Sequence, residues 1–221
     1  MEINIQKRVL AKNESDADRN RAFFKEKQVF VLNMMSSPGS GKTETLCRTL
    51  EALMPDIRMG VIVGDICTTN DADRLSVTGA KVTQINTDQF GGDCHLAAHL
   101  IESSARSLGC DDLDLLIVEN IGNLVCPAEF DIGEDARAVV LSVTEGEDKP
   151  LKYPLMFQVA DAAILNKIDL LPYLDFNAAL AVENMGKVHP GMPVFELSAK
   201  TREGMEPWLA WLRTKVKEKL G

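Results

Sequence analysis

SSPGSGKT, residues 36–43, decides the fold of this 221-residue chain. The stretch follows the apolar run 28–35 (QVFVLNMM) and opens a helical pattern over 41–53, which is the setting of a phosphate-binding loop. Backbone N–H groups of the small residues surround phosphate oxygens, Lys42 reaches the β- and γ-phosphates, and the Thr43 hydroxyl ligates Mg²⁺. Ser36 replaces the glycine that usually begins such a loop. The predicted nucleotide-binding residues here are Pro38, Gly39, Ser40, Gly41, Lys42, Thr43 and Glu44, with Lys42 and Thr43 also serving catalysis.

Apolar runs alternate with helical patterns along the rest of the chain. Strands are predicted at 28–35, 59–64, 81–86, 113–119, 138–143, 162–166 and 194–197, and helices at 41–53, 70–78, 95–108, 151–159, 175–186 and 203–219. Consecutive apolar positions within a strand are typical of a sheet that helices cover on both faces. The pattern therefore predicts an α/β P-loop NTPase with a mostly parallel sheet. We divide the chain into an N-terminal helical segment, 1–27, and a G domain, 28–221.

Two short motifs after later strands indicate which base binds. NKID, residues 166–169, offers a carboxylate that accepts two hydrogen bonds from the N1–H and 2-amino edge of guanine, an edge that adenine lacks. SAK, residues 198–200, suits a loop whose backbone N–H meets guanine O6. The predicted ligand is therefore GTP or GDP. The predicted base-binding residues are Asn166, Lys167, Asp169, Ser198, Ala199 and Lys200.

Acidic strand ends are the candidates for the magnesium side of the site. Asp65 follows MGVIVG, and Glu119 follows LDLLIV in the segment ENIG, where many GTPases carry Asp-x-x-Gly. Both carboxylates are predicted to assist catalysis and to bind Mg²⁺ directly or through water. Gly122 is predicted to donate its N–H to the γ-phosphate, so that its loop senses hydrolysis. No glutamine stands at an obvious water-orienting position, and we expect slow intrinsic turnover.

Composition limits the classes of partner. The formal charge of −9 and the isoelectric point of about 4.9 argue against binding to nucleic acid or to anionic membranes, which attract basic surfaces. No apolar run reaches the length of a membrane span, and the first twenty residues lack a signal-peptide pattern. We therefore expect a cytoplasmic protein. Its five cysteines are expected to be free thiols or metal ligands rather than a disulfide framework.

GGDCHLAAHL, residues 91–100, places a cysteine and two of the three histidines within ten residues. Cys94 and His95 begin the predicted helix 95–108, so His99 shares the face of His95 four residues earlier. Cys126 follows ENIG and is predicted to lie at the same sheet edge. Thiolate and imidazole groups are ligands for Zn²⁺ or Ni²⁺. From the residues alone, structural roles for these side chains stay open.

Long segments of the chain resemble the HypB family, the GTPases that assist nickel insertion during maturation of [NiFe]-hydrogenase. The resemblance covers nearly the whole chain and is carried by SSPGSGKT, DCHLAAHL, ENIGNLVCPAEFDIGE (119–134), LSVTEGEDKPLKYPLMF (141–157), LNKIDLLPYLDF (165–176) and SAKTREGMEPWLAWL (198–212). It implies a P-loop domain of the SIMIBI type that forms a homodimer with GTP. It also implies interface ligands for nickel or zinc at Cys94, His95 and Cys126, with His99 as a further ligand. A hydrogenase maturation chaperone and the hydrogenase large subunit are the implied partners.

Other interpretations stay open at this point. The related urease nickel accessory GTPases carry a Cys-Pro-His triplet, whereas Cys126-Pro127 is followed here by Ala128. A metal carrier whose nucleotide only sets the conformation, and a signalling GTPase with structural cysteines, are further alternatives. For the dimer, Leu170 and Leu174 after NKID are either an exposed apolar pair or part of the core.

Overall fold

The computed structural model of the chain describes residues 2–65, 70–86 and 95–221. Within these ranges seven strands form one sheet in the order β3-β2-β4-β1-β5-β6-β7, and every neighbouring pair is parallel. The strands are β1 Phe30–Ser36, β2 Met59–Asp65, β3 Lys81–Asn86, β4 Leu115–Glu119, β5 Ala136–Ser142, β6 Ala162–Asn166 and β7 Val194–Glu196. The α/β P-loop prediction is confirmed.

The burial of strand β1 shows that the sheet is covered on both faces. All seven of its residues are buried, and successive side chains point to opposite faces. Leu32 and Met34 pack with residues of the helices that cover one face, whereas Val31 packs in a cluster on the other. The side chains on both faces of this strand are therefore mostly apolar, since neither face of the central strands meets solvent.

All but one of the predicted helices lie close to an observed one, and the short helix Cys126–Glu129 was not predicted. The observed helices are α1 Glu2–Lys27, α2 Lys42–Leu53, α3 Asn70–Ser76, α4 Ala98–Leu108, α5 Cys126–Glu129, α6 Lys149–Lys152, α7 Pro154–Gln158, α8 Ala178–Val188 and α9 Met205–Leu220. The single helix predicted over 151–159 is wrong, because it is two short helices. Pro154 has no N–H to continue the first helix and instead opens the second. None of the helices in the described ranges combines the length and apolar character needed to cross a bilayer.

Helix α1 packs against α4 rather than standing apart from the sheet. Phe23 and Phe24 near its end are buried in the same cluster as Ile101 of α4. The Asn20 side chain is also buried and donates to the carbonyl oxygens of Ala98 and Ile132, both at 2.8 Å. The division into an N-terminal segment and a G domain stays a prediction. Through Asn20, α1 holds the start of α4 against the loop that precedes β5.

Candidate nucleotide and metal sites

The phosphate loop lines a cavity of about 580 Å³ at the carboxyl edge of the sheet. Every residue from Ser36 to Glu44 contributes to its wall, as predicted for a phosphate-binding segment. Asp65, Gly122 and Lys167 line it too, together with Arg74 of α3. The Arg74 guanidinium pairs with Glu44 at 2.5 Å. It is a cation on the wall of this cavity that the sequence did not indicate.

Gly41 is required at the start of α2 for two reasons. Its φ of 90° is in the left-handed region, which a side chain disfavours. A Cβ at this position would also lie 2.4 Å from Asn166 Nδ2. That amide donates to Ser40 O at 2.9 Å, and the Lys167 ammonium donates to Gly39 O at 2.6 Å. The NKID segment is thus tied directly to the phosphate loop.

Lys42 and Thr43 both contact the end of β4. The Lys42 ammonium donates to Asn120 O at 2.6 Å and lies 3.3 Å from Glu119 Oε1. The Thr43 hydroxyl donates to the same carboxylate oxygen at 2.7 Å. The two side chains predicted to hold phosphate and Mg²⁺ are therefore occupied by protein partners in this structure.

Glu119 has the environment expected of a cation ligand. Its side chain is 1% exposed, and within the described residues its Oε2 atom has no hydrogen-bond partner. An orphaned buried carboxylate oxygen costs about 1–3 kcal/mol, and a bound cation removes that cost. With the Thr43 hydroxyl beside it, this oxygen forms an all-oxygen donor set that suits Mg²⁺. The residues present thus fit the ion, with Asp65 on the same cavity wall.

Gly122 lies directly against the phosphate loop. A Cβ here would be 3.2 Å from the backbone of Pro38, a tighter contact than most side chains make, so glycine favours this close approach. The contact brings the ENIG loop next to the region where phosphates are expected. The assignment of Gly122 to the γ-phosphate stays a prediction.

The predicted base site is built around the side chain of Asn166. Its Oδ1 accepts from the N–H groups of Lys167 at 2.7 Å and Ala199 at 3.1 Å, which joins the two base loops. The Ser198 hydroxyl donates to Asp169 Oδ1 at 2.6 Å and so orients the carboxylate. Asn166, Lys167, Asp169, Ala199 and Lys200 line a second cavity of about 170 Å³, which also includes Gly41, Glu44 and Leu170.

The prediction that His95 begins a helix is wrong. Helix α4 starts at Ala98, and Ala97 is extended at φ −83° and ψ 143°. The cause is a long-range cap, because Asn13 of α1 accepts the Ala98 N–H at 3.0 Å through its Oδ1. His95 and His99 therefore do not share a helical face. They do line one cavity of about 280 Å³, together with Asn13, Asp16 and Phe130.

Phe130 joins the His95 segment to α5, the short helix that begins at Cys126. The two rings are stacked with centroids 3.6 Å apart and planes 18° from parallel. Phe130 directly follows α5, which begins at Cys126, and Asn123 Nδ2 lies 3.3 Å from the Cys126 sulfur. Two of the predicted metal-binding segments are thus brought together. Cys94 lies outside the described residues, and no group of three ligand-type side chains is found within them.

The cysteines differ in state. Cys47 and Cys110 are free and buried, and burial raises the pKa of both thiols, so at neutral pH they do not provide thiolates. Cys126 was expected to be a free thiol or a metal ligand, but it is disulfide-bonded in this structure. Metal binding by Cys126 therefore requires reduction.

The apolar pair considered for the dimer is only partly exposed. Leu170 is half-buried and packs against the core cluster beside β6, so it does not belong to an open patch. Leu174 is 39% exposed and the neighbouring Tyr173 is 82% exposed. The apolar surface after NKID thus consists of Tyr173 and Leu174.

Comparisons with known proteins point in one direction. A sequence model described as the CobW/HypB/UreG nucleotide-binding domain matches residues 30–196. The chain is similar to "Hydrogenase maturation factor HypB" of Rhizobium leguminosarum bv. viciae, with 51% identity over 95% of this chain and 69% of the relative. It is 49% identical to the protein of the same name from Escherichia coli K12, over 97% of this chain and 72% of the relative. A crystal structure of HypB from Helicobacter pylori in complex with nickel has a TM-score of 0.88 and 39% identity, covering 95% of this chain and 97% of that one.

Proposed function

Because the chain belongs to the HypB members of the CobW/HypB/UreG family, we propose that it is a GTP-hydrolysing metallochaperone for nickel. Its cargo enters a [NiFe]-hydrogenase during maturation. The observation that supports this proposal is that the end of β4 touches the phosphate loop and continues towards Cys126. Glu119 and Asn120 touch Lys42 and Thr43, and the same loop leads within a few residues to Cys126.

The phosphate loop binds and orients the nucleotide. Lys42 exchanges Asn120 O for phosphate oxygens, and the N–H groups at the start of α2 face the same phosphates. Thr43 and Glu119 would hold Mg²⁺, with Asp65 acting directly or through water. When bound, Mg²⁺ neutralises charge on the β- and γ-phosphates. Gly122, held against Pro38, donates its N–H to the γ-phosphate.

Guanine selectivity comes from Asp169. Ser198 holds one carboxylate oxygen, and Asn166 fixes the two loops that enclose the base. A carboxylate pairs with the N1–H and 2-amino group of guanine, whereas adenine leaves it without donors. A site built to hydrogen-bond one ligand strongly rejects an analogue that lacks the group.

Nickel, the cargo, is held by the His95 imidazole and by the thiolates of Cys94 and reduced Cys126. Zinc competes for the same donors, since thiolate and imidazole ligands suit both ions. His99 borders the cavity that also contains His95 and is proposed as a further ligand. A homodimer that forms with GTP completes the site by bringing two such sets across a two-fold axis.

Two partners are proposed with this role. A hydrogenase maturation chaperone exchanges nickel with the protein, and the hydrogenase large subunit receives it. Cys126-Pro127 is followed by Ala128 rather than histidine, which favours the hydrogenase role over that of the urease accessory GTPases.

Multiple-turnover phosphate release tests the enzymatic part. We expect slow GTP hydrolysis by the wild type and none by Lys42→Ala. A matched control is Lys187→Ala, which removes a lysine of α8 that pairs with Glu183 and donates to Asn184 Oδ1, away from the phosphate loop. Nickel binding without any phosphate release would favour the metal carrier. GTP hydrolysis with the same nickel response in the wild type and in a Cys94/Cys126 double alanine variant would favour the signalling GTPase.

A further inference from the structure

Asn120 is a fully buried polar residue at the carboxyl end of β4, and its side chain has no part in the proposed function. Its backbone N–H donates to Met34 O at 3.0 Å, so the residue extends the pairing of β4 with β1. A buried amide side chain is stable only when its donors and acceptors are paired. Its partners therefore show what Asn120 holds together.

The partners come from segments that are far apart in sequence. Asn120 O accepts from Lys42 Nζ at 2.6 Å, which connects it to the phosphate loop. Asn120 Oδ1 accepts from the Leu96 N–H at 3.3 Å and from the Ile121 N–H at 2.9 Å. Asn120 Nδ2 donates to Asn33 Oδ1 at 3.2 Å. Because two backbone N–H groups point at Oδ1, the orientation of the amide is determined by its donors.

A change at Lys42 must affect this arrangement. Lys42 reaches phosphate oxygens when nucleotide binds, so Asn120 O loses its cation. The same peptide plane carries Asn120 O and the Ile121 N–H, and a planar unit rotates as a whole. Movement of Asn120 O therefore also moves the Ile121 N–H, which donates to the same Oδ1 atom as the Leu96 N–H. Gly122 follows Ile121 in the chain, and in the proposed function its N–H meets the γ-phosphate, which GDP lacks.

We propose that the Asn120 side chain couples the nucleotide to the metal segment, a step that rests on the proposed function of both sites. With Lys42 on Asn120 O, the amide holds the Leu96 N–H and so fixes the backbone next to His95. Either nucleotide withdraws Lys42, but only a γ-phosphate also takes the Gly122 N–H and turns the 120–122 backbone, so the hydrogen bond to Leu96 weakens in the GTP state. The His95 ligand is then held differently in the two nucleotide states.

Other contacts of the metal segment serve as its fixed support. Asn13 caps Ala98 and also donates to Asp131 O at 2.7 Å, and Phe130 stacks on the His95 ring. These side chains join the two metal-binding segments to each other. Asn120 differs because it touches one of those segments and the phosphate loop at the same time.

Amide exchange at Leu96 tests the link before any metal is added. In the reduced protein, replacing GDP by a non-hydrolysable GTP analogue is expected to speed exchange of the Leu96 N–H. In Asn120→Ala this nucleotide effect is expected to disappear. Asn184→Ala is the matched control, because Asn184 is a buried asparagine of α8 that donates to Glu147 O and touches neither site. It should keep the wild-type effect.

Nickel titration then measures the coupling itself. In the wild type the nickel dissociation constants of the two nucleotide states are expected to differ by roughly 5- to 150-fold. In Asn120→Ala the ratio is expected to fall towards one, whereas Asn120→Asp keeps the acceptor for Leu96 and should retain it.

Three outcomes separate this inference from the function on which it rests. Exchange at Leu96 that does not respond to the nucleotide in the wild type overturns the link, even if Asn120→Ala does not fold. A folded Asn120→Ala variant with the wild-type nickel ratio overturns it as well. Both results leave GTP hydrolysis and nickel binding intact, whereas a wild type that binds no nickel refutes the proposed function itself.

Discussion

Replacing Glu119 by glutamine separates the hydrogen bond that Glu119 accepts from Thr43 from its proposed role as a Mg²⁺ ligand. Glu119 Oε1 accepts from the Thr43 hydroxyl at 2.7 Å and lies 3.3 Å from the Lys42 ammonium. The amide oxygen of glutamine still accepts the Thr43 hydroxyl. What Glu119→Gln loses is the negative charge, and with it the ligand proposed for Mg²⁺.

The size of the effect depends on the burial of Glu119. Its side chain is 1% exposed, so water cannot reach this position to act as a Mg²⁺ ligand in place of the carboxylate. A hydrogen bond to a charged group contributes about 1.5–3 kcal/mol. We expect the part of GTP affinity that depends on Mg²⁺ to fall by a comparable free energy, or roughly 10- to 160-fold. Affinity in EDTA should change much less.

The measurement is the GTP dissociation constant with Mg²⁺ and with EDTA, for the wild type and the variant. Glu145→Gln is a suitable control, because Glu145 accepts from the Ser37 hydroxyl of the phosphate loop but contacts neither Lys42 nor Thr43. Glu145→Gln should change the GTP dissociation constant by the same factor with Mg²⁺ and with EDTA. A Glu119→Gln variant that gains as much affinity from Mg²⁺ as the wild type would show that Glu119 does not serve the ion.

Further variants examine the base, the phosphate loop and the dimer. Asp169→Asn is expected to weaken GTP and to relax discrimination towards xanthine nucleotide, whose 2-oxygen needs a donor; wild-type GTP affinity in this variant would refute the guanine assignment. Gly41→Ala is expected to lower the free energy of unfolding by about 1–3 kcal/mol and to weaken GTP, because the added Cβ would lie 2.4 Å from Asn166 Nδ2 and displace a buried hydrogen bond. Unchanged stability in a denaturant titration would contradict that reasoning. Tyr173→Ser combined with Leu174→Ala should impair dimers in light scattering and leave nucleotide binding intact, and an unaltered dimer would remove this surface from the interface.

The sheet was predictable from sequence because its physics is local. Consecutive apolar residues such as Phe30, Val31 and Leu32 favour a strand that is buried on both faces. SSPGSGKT requires a strand before it and a helix after it. NKID and SAK were likewise readable, since each places its side chains at the end of a strand. Their joint placement around Asn166 results from the parallel order of β6 and β7.

The start of α4 was not predictable in the same way. The helical pattern runs back to His95, but the observed helix begins at Ala98 because a side chain 85 residues earlier, Asn13, caps it. The role of Asn120 was not predictable for a similar reason. Nothing in ENIG distinguishes it from a loop residue, and its significance comes from Leu96 and Lys42, which the fold brings to it.

Nickel titration of the reduced protein in the GDP and GTP-analogue states tests most directly whether nucleotide controls the metal. At equal pH and ionic strength, we predict nickel affinities that differ by roughly 5- to 150-fold between the two states. The difference should vanish in Cys126→Ala and in Cys94→Ala. Equal nickel affinity in both nucleotide states of the wild type would contradict the proposal and leave His95 and the two cysteines as a static site.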